Sequence, residues 1–293
     1  LTEYYLGRVS TIEGIAERFI AVDSDAFHLD VWPSELGTFK TAPGENSLAK
    51  LAKEFPTWEL HKLDLGLGEY YPRMARPGHT GPGQSPGANP DQSSAALYTR
   101  TISTGQLHAL IQELQAICRV VHPTKANFKV YGHEIRNLLI IAATEVEAQW
   151  KGILEANHAK AKTRADYVKL SPAMRLPEYE VAIPWYPWLD PLRPFGGWVV
   201  PVAPDEKQAL SWYDAYNAVK HDRENSFDQG TLKDVFQALA GCFVMLCAQY
   251  GWQFARRQEQ AGDAFFQLVY KAVSCGWTGI RRYLEANRLR LLP

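Results

Sequence analysis

The stretch TLKDVFQALAGCFVMLCAQYG, Thr231 to Gly251, decides the fold class of this chain. Thr231 followed three residues later by Asp234 is a capping box, which satisfies the free N–H groups of a helix start, and Gly251 supplies the stop. Between them Leu232, Val235, Phe236, Leu239, Phe243, Leu246, Cys247 and Tyr250 recur at three- and four-residue spacing. That spacing paints a wide apolar face on a helix, and such a face is buried by packing against other helices.

Working outward, the neighbouring segments supply them. Ser103 and Gln106 form a capping pattern ahead of Leu107, Leu110, Ile111, Leu114, Ile117, Cys118 and Val121, and Pro123 closes that helix. A second helix begins near Gly132 and carries Ile135, Leu138, Leu139, Ala142, Val146, Trp150, Ile153 and Leu154, apolar nearly all round at Ile140 and Ile141. From Pro172 to Pro201 the prolines and the aromatics Trp185, Tyr186, Trp188, Phe195 and Trp198 exclude regular helix. Asp205, reciprocated by Gln208, then predicts a helix start that runs through Trp212 to Arg223. Thr278 to Leu292 has helical spacing and four arginines, Arg281, Arg282, Arg288 and Arg290.

The first hundred residues lack long helical periodicity, and Trp58 to Leu67 alternates as a strand does. From Arg76 to Ser94 Gly, Pro, Ser, Asn and Gln dominate, too polar to pack. The expected class is therefore α+β. A mixed, strand-containing region spans 1–75 and a Pro/Gly-rich linker 76–102. A helical bundle occupies 103–251, with an extended excursion at 172–201, and a C-terminal segment over 252–293 ends in a basic helix.

Composition excludes some functions. A formal charge of -1 gives no global attraction to nucleic acid, so any RNA contact must come from a local patch. Cys118, Cys242, Cys247 and Cys275 lie in or beside apolar segments without zinc or disulfide spacing, as reduced thiols of a cytoplasmic protein would. The longest apolar run, Val235 to Ala248, falls short of the roughly 20 residues of a bilayer span, and the start at Leu1 lacks the pattern of a signal peptide. No membrane partner is expected. Among His122, His133, His221 and Glu134 no pair has a His-Glu-x-x-His spacing, so no metal is expected, and Gly81, Gly83 and Gly87 sit among prolines rather than in a phosphate-cradling loop.

The candidate chemistry lies on the helix through Trp212 to Arg223. Asn217 and His221 are one turn apart on one face, so the amide can orient an imidazole whose ordinary pKa suits proton transfer near neutrality. Lys220 adjoins them, and Arg223 can reach a phosphate from the flank. The plain alternative is a solvated face on which Lys220 pairs with Glu224. Glu145 shares a face with Leu138 and Ile141, so its carboxylate needs a partner, for which Arg136, Lys220 and His221 are the candidates, or serves as a structural buried pair. Glu147 with Lys151 reads as a surface pair.

Three segments together, Tyr131 to Glu147, Tyr216 to Arg223 and the helix from Thr231, resemble prokaryotic members of the HEPN superfamily. The resemblance implies a four- or five-helix bundle, a dimer, and metal-independent RNA cleavage within a bacterial defence or toxin-type system, with no cofactor. It assigns His221 to the motif histidine and Asn217 to the polar position, making His221 the acid or base and leaving Lys220, Arg223 and Tyr216 to face the phosphate. Glu145 and Arg136 would support them. Tyr216 occupies the place of the motif arginine, and a phenol carries no positive charge. The alternative is a catalytically inactive helical protein that dimerises or regulates a protein partner.

Overall fold

The computed structural model describes residues 2–11, 14–29, 37–63, 71–74, 93–174, 176–198, 209–251 and 265–269. The capping pair Asp205 and Gln208, Cys275, the glycines of the linker and the C-terminal arginine helix lie outside them. The architecture is α+β, in two compact units, 1–70 and 71–293.

The first unit is an antiparallel sheet. Strands β1 (Glu3–Thr11), β2 (Gly14–Val22), β3 (Ala26–Leu29), β4 (Gly37–Lys40) and β5 (Glu59–Leu63) lie in the order β4-β3-β2-β1-β5, with Tyr5 opposite Ile20 and Phe27 opposite Phe39. Tyr5, Ile20, Val22, Phe27 and Leu29 bury one face, where Leu51 of helix α1 (Ser47–Glu54) joins them. That helix lies in a region read as lacking helical periodicity, because eight residues are too few to declare a period. Gly7 is required by packing: a Cβ there would stand 2.6 Å from a ring carbon of Trp58.

The second unit is built on four long helices: α2 (Ser94–Val120), α3 (His133–Ala156), α6 (Ser211–His221) and α8 (Leu232–Tyr250). Short helices α4 (Arg164–Val168), α5 (Leu170–Met174) and α7 (Arg223–Ser226) occupy the connections. The central helices α3 and α8 run parallel. Tyr131 bridges Thr231, the Cys242 thiol donates to the Ala142 carbonyl, and the Gln249 amide donates to Gln149, so the partners stay 100 residues apart along both helices. Helix α2 runs the other way, its Ser103 bonding Glu145 and its Arg100 lying over the Tyr250 ring. So does α6, whose Tyr216 meets Glu147 while its end meets Arg136. The four helices alternate up and down around one core.

Capping explains most boundaries. The Thr231 and Asp234 box is formed, and Gly251 ends α8 with φ 81°. Helix α2 starts nine residues before the expected Ser103, because the Ser93 hydroxyl accepts from the Ala96 N–H at 3.2 Å. Residues 94–102 are thus helix rather than linker. Ser103 is buried inside it, bonded to Glu145. Helix α6 begins at Ser211 with Leu210 as its cap, not near Asp205; the Leu210 carbonyl accepts from Tyr213 and Asp214. The excursion, expected to exclude helix, begins inside α5, holds a 3-10 turn at Leu176–Glu178, and pairs β6 (Val181–Ala182) with β7 (Gln267–Leu268).

Helix α8 has the length and composition to cross a membrane, more than the shorter run Val235 to Ala248 suggested, but 89% of its most apolar 18-residue stretch is buried. It is the core helix. Trp150 on α3 centres the other end of the core, ringed by Tyr167, Trp198 and Tyr213 with centroids at 5.2, 5.1 and 5.4 Å. The Trp212 indole donates to the Pro194 carbonyl at 2.8 Å, tying the aromatic excursion to α6. Each such ring, fully buried, contributes about 1.5–3 kcal/mol. Cys118, Cys242 and Cys247 are buried free thiols, and burial pushes the Cys242 thiol up.

Candidate functional site

The buried side of α6 carries Trp212, Tyr213, Ala215, Tyr216 and Val219, at the spacing of one helix face. Two of these residues are phenols, and a buried hydroxyl needs a partner. Glu147 of α3 provides it. The Tyr213 hydroxyl donates to Glu147 Oε1, and the Tyr216 hydroxyl donates to Glu147 Oε2 at 3.0 Å. Lys220, one turn beyond Tyr216, donates to the same Tyr216 oxygen at 2.5 Å, with its ammonium 4.8 Å from the ring centroid. At the other end Arg164 pairs with Asp214 at 2.5 Å and lies 5.5 Å from the Tyr213 ring centroid.

The electrostatics follow from this chain of contacts. Burial and the Glu147 carboxylate both push the Tyr213 phenol well above its ordinary range. The bond to Tyr216 raises the Lys220 ammonium, so it stays charged. Glu147 and Asp214 balance Lys220 and Arg164 in sign within this chain of contacts. The arrangement locks α6 onto α3.

The expected site residues are placed as follows. Tyr216 is fully buried, turned to Glu147 rather than outward. The Asn217 amide donates to the Tyr213 carbonyl at 2.8 Å, so it is bonded to its own helix and does not orient an imidazole. Arg136 donates through Nε and Nη2 to the Val219 carbonyl, at 3.2 and 2.8 Å, capping the C-terminal end of α6. A cation there also meets the negative end of the helix dipole. His221 is the last residue of α6 and is exposed; its imidazole makes no hydrogen bond or ion pair among the described residues. Arg223 is exposed at the start of α7, beside Asp222, whose carboxylate caps that turn.

Glu145 does not join this site. It accepts from Gln149 at 2.9 Å and bonds Ser103, and the charge of Arg73 acts on it, none of these being the expected Arg136, Lys220 or His221. Burial pushes its carboxyl up, and those three neighbours hold it down. Glu147, read as a surface pair with Lys151, is instead the hub, while Lys151 lies 3.8 Å from Glu155. A signal for it existed: Ala143, Val146 and Trp150 are apolar at helical spacing, and Glu147 falls on their face. Arg164 gave none. His122 packs on Trp188 and His133 on Phe227, with centroids 5.2 and 4.9 Å apart. No three His, Cys, Asp or Glu residues converge as metal ligands among the described residues. No family model, no curated protein and no solved structure matches the chain.

Proposed function

We propose that the helical unit is a non-catalytic interaction module that pairs with a second copy of itself through the outer face of α2. The observation that carries this reading is the exposed pair Tyr98 and Ile102 at the head of a row of mostly small residues on a 27-residue helix. Tyr98 and Ile102, 70% and 55% exposed, are followed at alternating spacings by Gly105, Ala109, Gln112 and Ala116. Spacings of four and three are those of a coiled-coil seam, and glycine and alanine let two backbones approach closely. A Cβ at Gly105 would meet nothing within 4 Å. Such a face exposed on a lone protein is a liability, and covering it is the usual reason it exists.

The state of α6 supports the same reading. Lys220, Asn217 and Arg136 are each bonded within the fold, and Tyr216 stands where the resembled nuclease motif has arginine. Buried free thiols suit the cytoplasm as its compartment. Sedimentation of the full chain between micromolar and 100-fold higher concentration tests the pairing. The wild type is expected to dimerise and a Tyr98→Glu, Ile102→Glu double variant to stay monomeric at unchanged helicity. In parallel, wild type and His221→Ala are incubated with tRNA and mixed RNA in EDTA, and both are expected to leave it intact. A wild type that cleaves while His221→Ala does not would overturn the reading in favour of a ribonuclease.

A further inference from the structure

Residues Tyr71 to Met74 form a strap on the helical unit. Tyr71 is buried, Met74 packs on the core, and Asn157 at the end of α3 donates its amide to the Pro72 carbonyl at 2.9 Å. Between them Arg73 sends its guanidinium inward. Its Nε donates to Gln249 Oε1 at 2.9 Å. The Gln249 amide in turn donates to Gln149 at 3.0 Å, and Gln149 donates to Glu145 at 2.9 Å. A relay of two amides therefore connects the guanidinium to a carboxylate, with the Tyr250 ring at the same end of the bundle.

The receiving side is shaped for this group. Helix α3 carries a glycine at position 152, and a Cβ there would stand 1.9 Å from Arg73 Nη1 and 3.1 Å from Cζ. Glycine weakens a helix interior, so its presence needs a reason, and the guanidinium lying against the backbone supplies one. The occupant, by contrast, is held awkwardly. Arg73 has φ 59°, in the left-handed region that residues with a side chain avoid. The site fits a guanidinium better than the strap fits the site.

We propose that the cleft over Gly152, bounded by Gln249, Gln149 and Glu145, is an arginine-binding site that the chain fills with its own Arg73. An arginine-bearing peptide of relaxed backbone takes the same place when the strap lifts. The Arg73 Nε bonds the Gln249 amide oxygen while the flat guanidinium lies over the Gly152 backbone, and an ammonium has no such planar group to lay there.

The test uses the full chain and the strap's own sequence as probe, acetyl-Tyr-Pro-Arg-Met-amide, with a control peptide carrying alanine for arginine. Calorimetric titration into Arg73→Ala is expected to show the arginine peptide binding at least about ten-fold tighter than the control, a difference near 1.4 kcal/mol. The same peptide should raise the melting temperature of that variant toward wild type. Wild type, with the cleft filled, should bind neither. Arg73→Gln shortens the side chain so that it no longer reaches over Gly152 and keeps a polar group on the strap, so it serves as a second open host less exposed to misfolding, with the same preference expected. Adding Gly152→Ala to either host should abolish binding by filling the cleft. Equal affinity for the two peptides, or undiminished binding after Gly152→Ala, would overturn the assignment.

Discussion

Substituting Gly152 by alanine should change the sign of its effect according to what stands at position 73. In an unobstructed helix interior, alanine stabilises over glycine by about 1 kcal/mol. In the wild type the new Cβ would come within 1.9 Å of Arg73 Nη1, a distance that real contacts exclude, so the guanidinium must shift. The shift pulls Nε off Gln249, and a hydrogen bond lost from a charged group costs up to about 1.5–3 kcal/mol. Gly152→Ala should therefore cost the wild type about 0.5–2 kcal/mol net. In an Arg73→Ala background nothing obstructs the methyl group, and the same change should stabilise by about 1 kcal/mol. The coupling between the two positions is then about 1.5–3 kcal/mol. Equilibrium urea unfolding of the four proteins, followed by helical circular dichroism, measures it. If Gly152→Ala stabilises both backgrounds equally, Arg73 does not occupy the space over that glycine and the packing argument is wrong.

Tyr216→Phe removes the hydroxyl that links Lys220 to Glu147, leaving a half-buried carboxylate with one donor fewer; a loss of about 1–2 kcal/mol in urea unfolding is expected. His221→Ala, by contrast, deletes an exposed ring and should shift stability by less than about 0.5 kcal/mol. Asp166 caps α4, accepting from the Lys162 and Thr163 N–H groups, and those bonds hold its carboxyl down from 3.8 to about 2. Its contribution is therefore complete above its unfolded value and lost as pH falls toward 2, so urea midpoints should drop across that window and drop less in Asp166→Asn. Glu145 has the opposite sign. Burial raises it, so its native form holds a proton more firmly than the unfolded chain does, and its contribution declines as pH rises through the raised value. Glu145→Gln should flatten that decline in the same titration.

The helices of the bundle were legible wherever caps and period agreed. Thr231, Asp234 and Gly251 mark α8 at both ends, and Gly132 with the apolar run behind it marks α3. Where two caps competed the choice was ambiguous. Ser103 and Gln106 satisfy the capping pattern, but Ser93 starts the helix, and only tertiary packing reveals that Ser103 faces Glu145. Helical spacing puts Tyr213 and Leu210 on the polar face of α6, yet both are buried, because the chemistry of a face depends on what stands opposite. Asn217 bonds the carbonyl one turn back, and that partner competes with any imidazole one turn ahead. Tyr216 carries apolar mass with a polar tip, and periodicity alone does not say that Glu147 waits for that tip. Arg73 lies in a Pro-containing tetrapeptide without period, so its insertion had no trace in the sequence at all.

The parallel course of α3 and α8, partners 100 residues apart, bears on how the chain is born. A ribosome releases α2 and α3 long before α8, so the surface formed by Ala142, Ala143 and Val146 emerges before the helix that packs along it. Because the closing contacts join distant parts of the sequence, collapse of the unit waits for translation to reach Tyr250. During that interval the nascent chain presents a sticky flank, and truncation just before Thr231 should yield a product bound by chaperones or lost to precipitation.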